Sequence, residues 1–220
     1  MRHGVFTRLA ACKMPPEKLA LYLLEMGAFC EASRSGGSIA QELRSRGWRK
    51  SADMVDAIFT SEARHGEDYA QMAKLLLREE AHLVTPFSNF WAENAGFATS
   101  RETRNVCSQF WLRQHREHAL YSLGVLLVVE MAAHRQIIPG QVAAFIDSGF
   151  YGLTLSEVTY LNVHAGEHGA EHAHEQAVID LLASLGSVNP RDWSEINRGS
   201  REFLTALNGF YNRLEACITQ

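Results

Sequence analysis

At 220 residues and 24.6 kDa, with 46% hydrophobic and 21% charged residues, the chain reads as one globular domain over residues 1–220. That balance excludes disorder and low-complexity scaffolding. A formal net charge of −4 and a pI near 6.2 give no electrostatic reason to expect nucleic-acid binding. The four cysteines (Cys12, Cys30, Cys107 and Cys217) lie far apart with no Cys-x-x-Cys pair, which argues against a thiolate metal site or a disulfide framework.

The segment Met1 to Met14 lacks a continuous apolar stretch and is not read as a signal peptide. Pro15-Pro16-Glu17 opens a first helix reaching about Ser33, and Ser35-Gly36-Gly37 breaks it. A short helix follows to about Arg46. Ser51 caps a long helix to about His82, and a shorter helical stretch follows Pro86. Ser100 or Thr103 opens another long helix that ends near Gln136, before Pro139. Its most apolar run, Ala119 to Ala133, is shorter than a membrane span and carries Glu130, so no membrane partner is expected. Gly140 to Ser148 is a short helix. Thr154 or Ser156 caps a helix running to about Leu185, and Asn189-Pro190 starts a last one ending near Ile218. No stretch alternates polar and apolar residues as a strand would. The expected fold is all-α, seven or eight helices around one core, in a soluble cytoplasmic protein with reduced thiols.

Ten residues are histidine, and His164, His168, His172 and His174 fall close together, interleaved with Glu157, Glu167, Glu171 and Glu175. On a helical wheel with His164 at zero, His168 falls at about +40°, Glu171 at about −20° and Glu175 at about +20°. Leu161 and Ile179 at about +60°, Val178 at about −40° and Leu182 at 0° share that sector. The polar cluster therefore continues the apolar stripe, on the face expected to be buried. Burying imidazoles and carboxylates is expensive unless a partner satisfies them, and a metal is such a partner. His172 at about +80° and His174 at about −80° flank the stripe and read as second-sphere or surface residues.

Glu62 and His65 fall inside the stripe formed by Val55, Ile58, Tyr69, Met72 and Leu76, and Glu-x-x-His is a spacing that lets a carboxylate and an imidazole reach one metal pair. Glu130 lies in a helix that is apolar all round and hence central; a carboxylate there needs a raised pKa or a cation beside it. His134, one turn on, is its candidate second-sphere partner. Three helices thus each bring carboxylate or imidazole to a core face, which points to a bundle-core metal site with ligand types that suit iron or manganese, and zinc as well.

At these residues the chain resembles the haem-oxygenase-like di-iron oxidases and oxygenases, whose helical fold binds two irons and no haem. The pattern of that family begins with Glu and His on one core helix, matched by Glu62 and His65. A single Glu on a central helix follows, matched by Glu130. His-x-x-x-Asp-x-x-His on a later helix is matched by position to His164, His168 and Glu171, with ligand types exchanged at the last two, or with His172 supplying the final imidazole through a shifted turn. The resemblance implies a seven- to eight-helix haem-oxygenase-like bundle, two Fe(II) per chain and O2 as co-substrate. It also implies N-oxygenation, oxidative C–C cleavage or desaturation of a small amino-acid-derived or fatty-acid-like substrate in small-molecule biosynthesis. An anionic substrate group would need a cation, for which Arg64, Arg104, Arg113 and Arg135 are available, and Tyr69 and Tyr160 are candidates to line the pocket. Such bundles often pair as homodimers through an exposed apolar helix face.

Two other readings stay open. A ferritin-like di-iron bundle would use Glu25 or Glu31, Glu62/His65, Glu130 and Glu171/His174, with His174 off the stripe as the point against it. A metal-independent thiaminase-like enzyme or binding protein of the same fold would retain no metal. Haem oxygenase itself needs a proximal His near the chain start, and His3 precedes every predicted helix.

Overall fold

The structure is a computed structural model that describes residues 3–32, 37–62, 64–84, 100–111, 119–165, 169–185 and 189–219, without the side chains of residues 31, 32, 37, 38 and 109–111. Among the described residues it is helical with no strand. In chain order the helices are α1 Gly4–Ala11, α2 Pro16–Ala32, α3 Gly37–Ser45, α4 Arg49–Glu62, α5 His65–Leu76, α6 Arg101–Trp111 and α7 Ala119–Ala132. They continue as α8 Ile138–Val142, α9 Thr159–His164, α10 Ala170–Ser184 and α11 Pro190–Thr219. No described helix is long and apolar enough to cross a membrane.

Four elements depart from the expected boundaries. The first is α1, which the sequence reading did not anticipate; it buries Val5, Phe6 and Leu9, and His3 caps it by accepting from the Val5 N–H at 3.3 Å. Next, the helix expected from Ser51 to His82 is interrupted after Glu62 and restarts at His65. The helix expected to stop before Pro139 runs past it instead. Ala133–Ile137 and Ala143–Asp147 are π-helical turns around α8, and the Ile138 N–H reaches back to the Ala133 carbonyl. A widened turn just before a proline accommodates the ring that a regular turn would expel. Lastly, the helix expected from Thr154 to Leu185 is three pieces: a 3-10 turn at Leu155–Glu157 closed by a Thr154/Glu157 capping box, then α9, then α10. At the last break a Cβ on Gly169 would lie 2.4 Å from the His164 carbonyl oxygen, an approach open only to glycine.

Buried apolar residues form two clusters. One gathers Phe6, Leu19, Tyr22 and Met26 with Tyr69 and Met72 of α5, Tyr160 and Leu161 of α9, and Phe203 and Phe210 of α11. The other gathers Ile39, Leu43, Val55 and Ile58 of α3 and α4 with Val178 and Leu181 of α10. Helix α7 serves both, with Tyr121, Val125 and Val129 on the first side and Leu120, Leu123 and Leu126 on the second. The breaks between α4 and α5 and between α9 and α10 are where the chain crosses from one cluster to the other. Helices α7 and α11 pack backbone to backbone at Gly124 and Gly199, and the Ser200 hydroxyl donates to the Gly124 carbonyl at 3.0 Å.

Candidate metal centre

Several of the buried polar residues gather in the seam between the two clusters. Glu62 ends α4, Glu130 lies near the end of α7, and His174 sits in the second turn of α10; all three are buried. One ligand atom from each lies within 4.8 Å of the others. His174 Nδ1 is 3.4 Å from Glu62 Oε1 and 3.5 Å from Glu130 Oε2. Its Nε2 is 2.9 Å from the Ser61 hydroxyl.

A second group adjoins the first through Glu62. His65, the first residue of α5, places Nδ1 against Glu62 Oε2. The His65 ring stands edge-on to His164 with centroids 4.3 Å apart, and to Tyr160 at 5.9 Å. His164 Nδ1 lies 3.1 Å from Glu171 Oε1 without hydrogen-bond alignment. Glu62 thus turns one oxygen toward each group, as a bridging carboxylate would.

The residues fit a metal. Glu62 Oε1, His65 Nε2, His164 Nδ1 and His174 Nδ1 are buried with no hydrogen-bond partner. Each such orphan costs about 1–3 kcal/mol. Four gathered in one seam are what a metal that accepts lone pairs would satisfy. The donors are carboxylate oxygen and imidazole nitrogen with no thiolate, a set suited to iron, manganese or zinc. A cavity of about 30 Å³ is lined by Glu62, His65, Glu130 and Glu171 together with Met26, Phe29, Val129 and Ile137, and by Cys30 and Tyr160.

The electrostatics separate the carboxylates. Burial and the neighbouring Glu62 and Glu171 charges outweigh the pull of His174 and raise Glu130 to about 8. Burial also acts on Glu62, but His174 and His65 overcome it and bring that carboxyl down to about 2. His174 is opposed by burial yet held up, to about 10, by Glu130 and Glu62. In the metal-free centre burial thus favours a proton on Glu130, and the carboxylates favour an extra one on His174. A metal must displace the protons its ligands hold, so affinity is expected to rise with pH between pH 6 and 8. A chelator-competition titration at pH 6, 7 and 8 measures the slope. A flat profile would mean that neither group is a ligand.

Of the residues singled out from sequence, the structure brings Glu62, His65, Glu130, His164 and Glu171 to the seam. His168 lies outside the described residues. His172 is a correction: it is exposed, its ring 5.0 Å from that of His134, on the opposite side of α10 from His174. His174 is the residue the sequence reading set aside. His134 does not serve Glu130; it bonds Glu175 at 2.5 Å, and Arg135 bonds the same carboxylate. Arg64 is exposed beside Glu67 and Asp68, and Arg104 is exposed too. Among the described residues no arginine or lysine lines the cavity. Arg113, His115, His118 and the stretch after Pro86 lie outside the described residues, as does the side chain of Glu31. Tyr160 lines the cavity, 3.6 Å from the Cys30 thiol, and the Tyr69 ring stands edge-on to it with centroids 5.2 Å apart. Glu25 is buried elsewhere, accepting from the Ser100 N–H and hydroxyl and from the Thr103 hydroxyl.

No protein-family profile, curated protein or solved structure matches the chain.

Proposed function

We propose that the chain is a non-haem di-iron oxidase or oxygenase that uses O2, of the haem-oxygenase-like kind its sequence resembles. The observation that supports this reading is the convergence of four unpartnered buried ligand atoms with three carboxylates in one seam. In this reading Glu62, Glu130 and His174 hold one metal, and His65, His164 and Glu171 hold the second, with Glu62 between them. Glu171 and His174 stand three residues apart, so they supply the carboxylate-x-x-imidazole end of the family pattern better than the pairing drawn from position alone. Ferrous iron bound there would supply dioxygen activation.

The chain's own residues do the rest. Met26, Phe29, Val129 and Ile137 would keep bulk water from the cavity, while the Cys30 thiol and Tyr160 hydroxyl are further polar groups in its lining. Burial holds both of these protonated. A fatty-acid-like or amino-acid-derived substrate is what the resemblance implies, and Met26, Phe29, Val129 and Ile137 are the apolar surface it would meet.

Anaerobic reconstitution with Fe(II) is expected to leave about two irons per chain, and stopped-flow mixing with O2 to give a transient visible band. Chain that retains no iron would overturn the proposal and favour a metal-independent protein on this bundle. The ferritin-like reading gains from the position of His174, which its ligand set includes. Of the two α2 carboxylates it could use, Glu25 is spent on the start of α6, and the side chain of Glu31 lies outside the described residues. Rapid iron turnover without substrate consumption would favour it.

A further inference from the structure

Ser61 is not a ligand in the proposed centre, yet it touches the centre at one point, with Oγ 2.9 Å from His174 Nε2. The same hydroxyl lies 2.7 Å from the carbonyl oxygen of Ile58, one turn back along α4. A hydroxyl has a single hydrogen, and a carbonyl oxygen only accepts. The Ser61 hydrogen therefore goes to Ile58, the ordinary back-bond of a helical serine. Toward His174, Ser61 presents a lone pair, so Nε2 must carry the proton of that contact.

A neutral imidazole has one N–H, and with it on Nε2 the free lone pair falls on Nδ1. That atom faces Glu62 Oε1 and Glu130 Oε2 and has no hydrogen-bond partner. We infer that Ser61 is a positioning residue that locks His174 in the Nε2–H tautomer, so that His174 takes a divalent metal through Nδ1. His65 is arranged the other way. Its Nδ1 is turned to Glu62 Oε2, and Nε2 is the buried atom left unpartnered. The two imidazoles on either side of Glu62 thus offer opposite nitrogens. Metal-bound histidines generally hand their second N–H to an acceptor that fixes the ring, most often a carboxylate or carbonyl. Here a serine does so, and its own direction is set by the turn of helix beneath it.

The inference rests on the metal-centre reading, and one experiment separates the two. Zn(II), which is diamagnetic and takes the same donors, is titrated into protein carrying 15N-labelled histidine. Long-range 1H–15N spectra are recorded, with His174→Gln used for assignment. The expected pattern for His174 is a slowly exchanging proton on Nε2 and a metal-shifted Nδ1. Ser61→Ala is expected to weaken zinc binding by about tenfold, at the low end for such partners, because Ser61 is exposed and water reaches the vacated position. Ser61→Thr, which keeps the hydroxyl, is expected to retain wild-type affinity. The exposed position makes the fold insensitive to either change, and the melting temperature of the metal-free variants checks this. Zinc bound through Nε2, or a Ser61→Ala protein with unchanged affinity and tautomer, overturns the role of Ser61 while leaving the centre intact. Wild-type protein that takes no zinc overturns the centre and the inference together.

Discussion

Replacing Glu130 by glutamine is expected to abolish the stabilisation that a divalent metal confers and to leave the bundle folded. Burial raises the metal-free Glu130 to about 8, which favours its neutral carboxyl form. Glutamine has nearly its size and no charge, so the metal-free melting temperature should change little. The wild-type chain saturated with metal at a hundred times its dissociation constant gains about 2.7 kcal/mol. For a chain of this length that is a rise of roughly 5–11 °C in melting temperature. The variant, with one of three tightly grouped ligands gone, should show almost none. Glu62→Gln makes the contrast. Glu62 stays ionised down to about 2 and is a counter-charge of His174, 3.4 Å away. Removing it leaves a buried imidazolium with less to balance it, a change worth about 3 kcal/mol at the low end for broken buried pairs. Glu62→Gln should therefore lower the melting temperature of the metal-free protein as well as remove the metal response. Thermal melts of the three proteins with and without Mn(II) decide the matter, and an undiminished metal shift in Glu130→Gln would exclude Glu130 as a ligand.

Helical content and the central place of Glu130 were legible because they rest on signals that survive tertiary context. Ala119 to Ala132 is apolar on every side, and a helix of that kind has nowhere to go but the middle. Glu62 and His65 were legible as a pair because three residues is a short interval, even though the chain uses the two on different helices. His174 was lost to phase. Counting from His164 carried the wheel past the end of α9 and, across the sequence from Gly166 to Gly169, into α10, which starts afresh at Ala170, so the angles there had lost their phase. Counted within α10 alone from Glu171, His174 falls at about −60°, Val178 at about −20° and Leu181 at about −80°, a single buried stripe, while His172 falls at about +100° on the exposed side. Two glycines three residues apart were the signal for the break. Pro139 misled in the opposite sense, since a π turn ahead of it lets the helix continue. Both helix breaks at the centre occur where the chain passes between the two apolar clusters.

Gly124→Ala is expected to be, with Gly199→Ala, the most damaging glycine substitution among the described residues. A Cβ there would stand 2.0 Å from the Ile196 carbonyl oxygen and 2.9 Å from the Ser200 nitrogen, both backbone atoms of α11. Gly199 meets the Tyr121 carbonyl at the same 2.0 Å from the other side. A side chain in the way would rotate aside, but a helix backbone moves only as a body, so α7 and α11 must separate. Overpacking a core typically costs 1–3 kcal/mol, and a clash with backbone belongs at or above about 3 kcal/mol, a fall of roughly 6–12 °C in melting temperature. Gly209→Ala on the same α11 is the control. Nothing lies within 4 Å of its added Cβ, and exchanging glycine for alanine inside a helix should stabilise by about 0.5–1 kcal/mol. The damage should also reach the centre, because Glu130 follows Gly124 by six residues, about 9 Å along the same helix. Where α7 is pushed off α11, Glu130 shifts against Glu62 and His174, which are carried by α4 and α10. Metal affinity measured well below the melting temperature should therefore fall in Gly124→Ala and hold in Gly209→Ala. A Gly124→Ala protein that melts and binds like the wild type would mean that the two helices are not in backbone contact at this crossing.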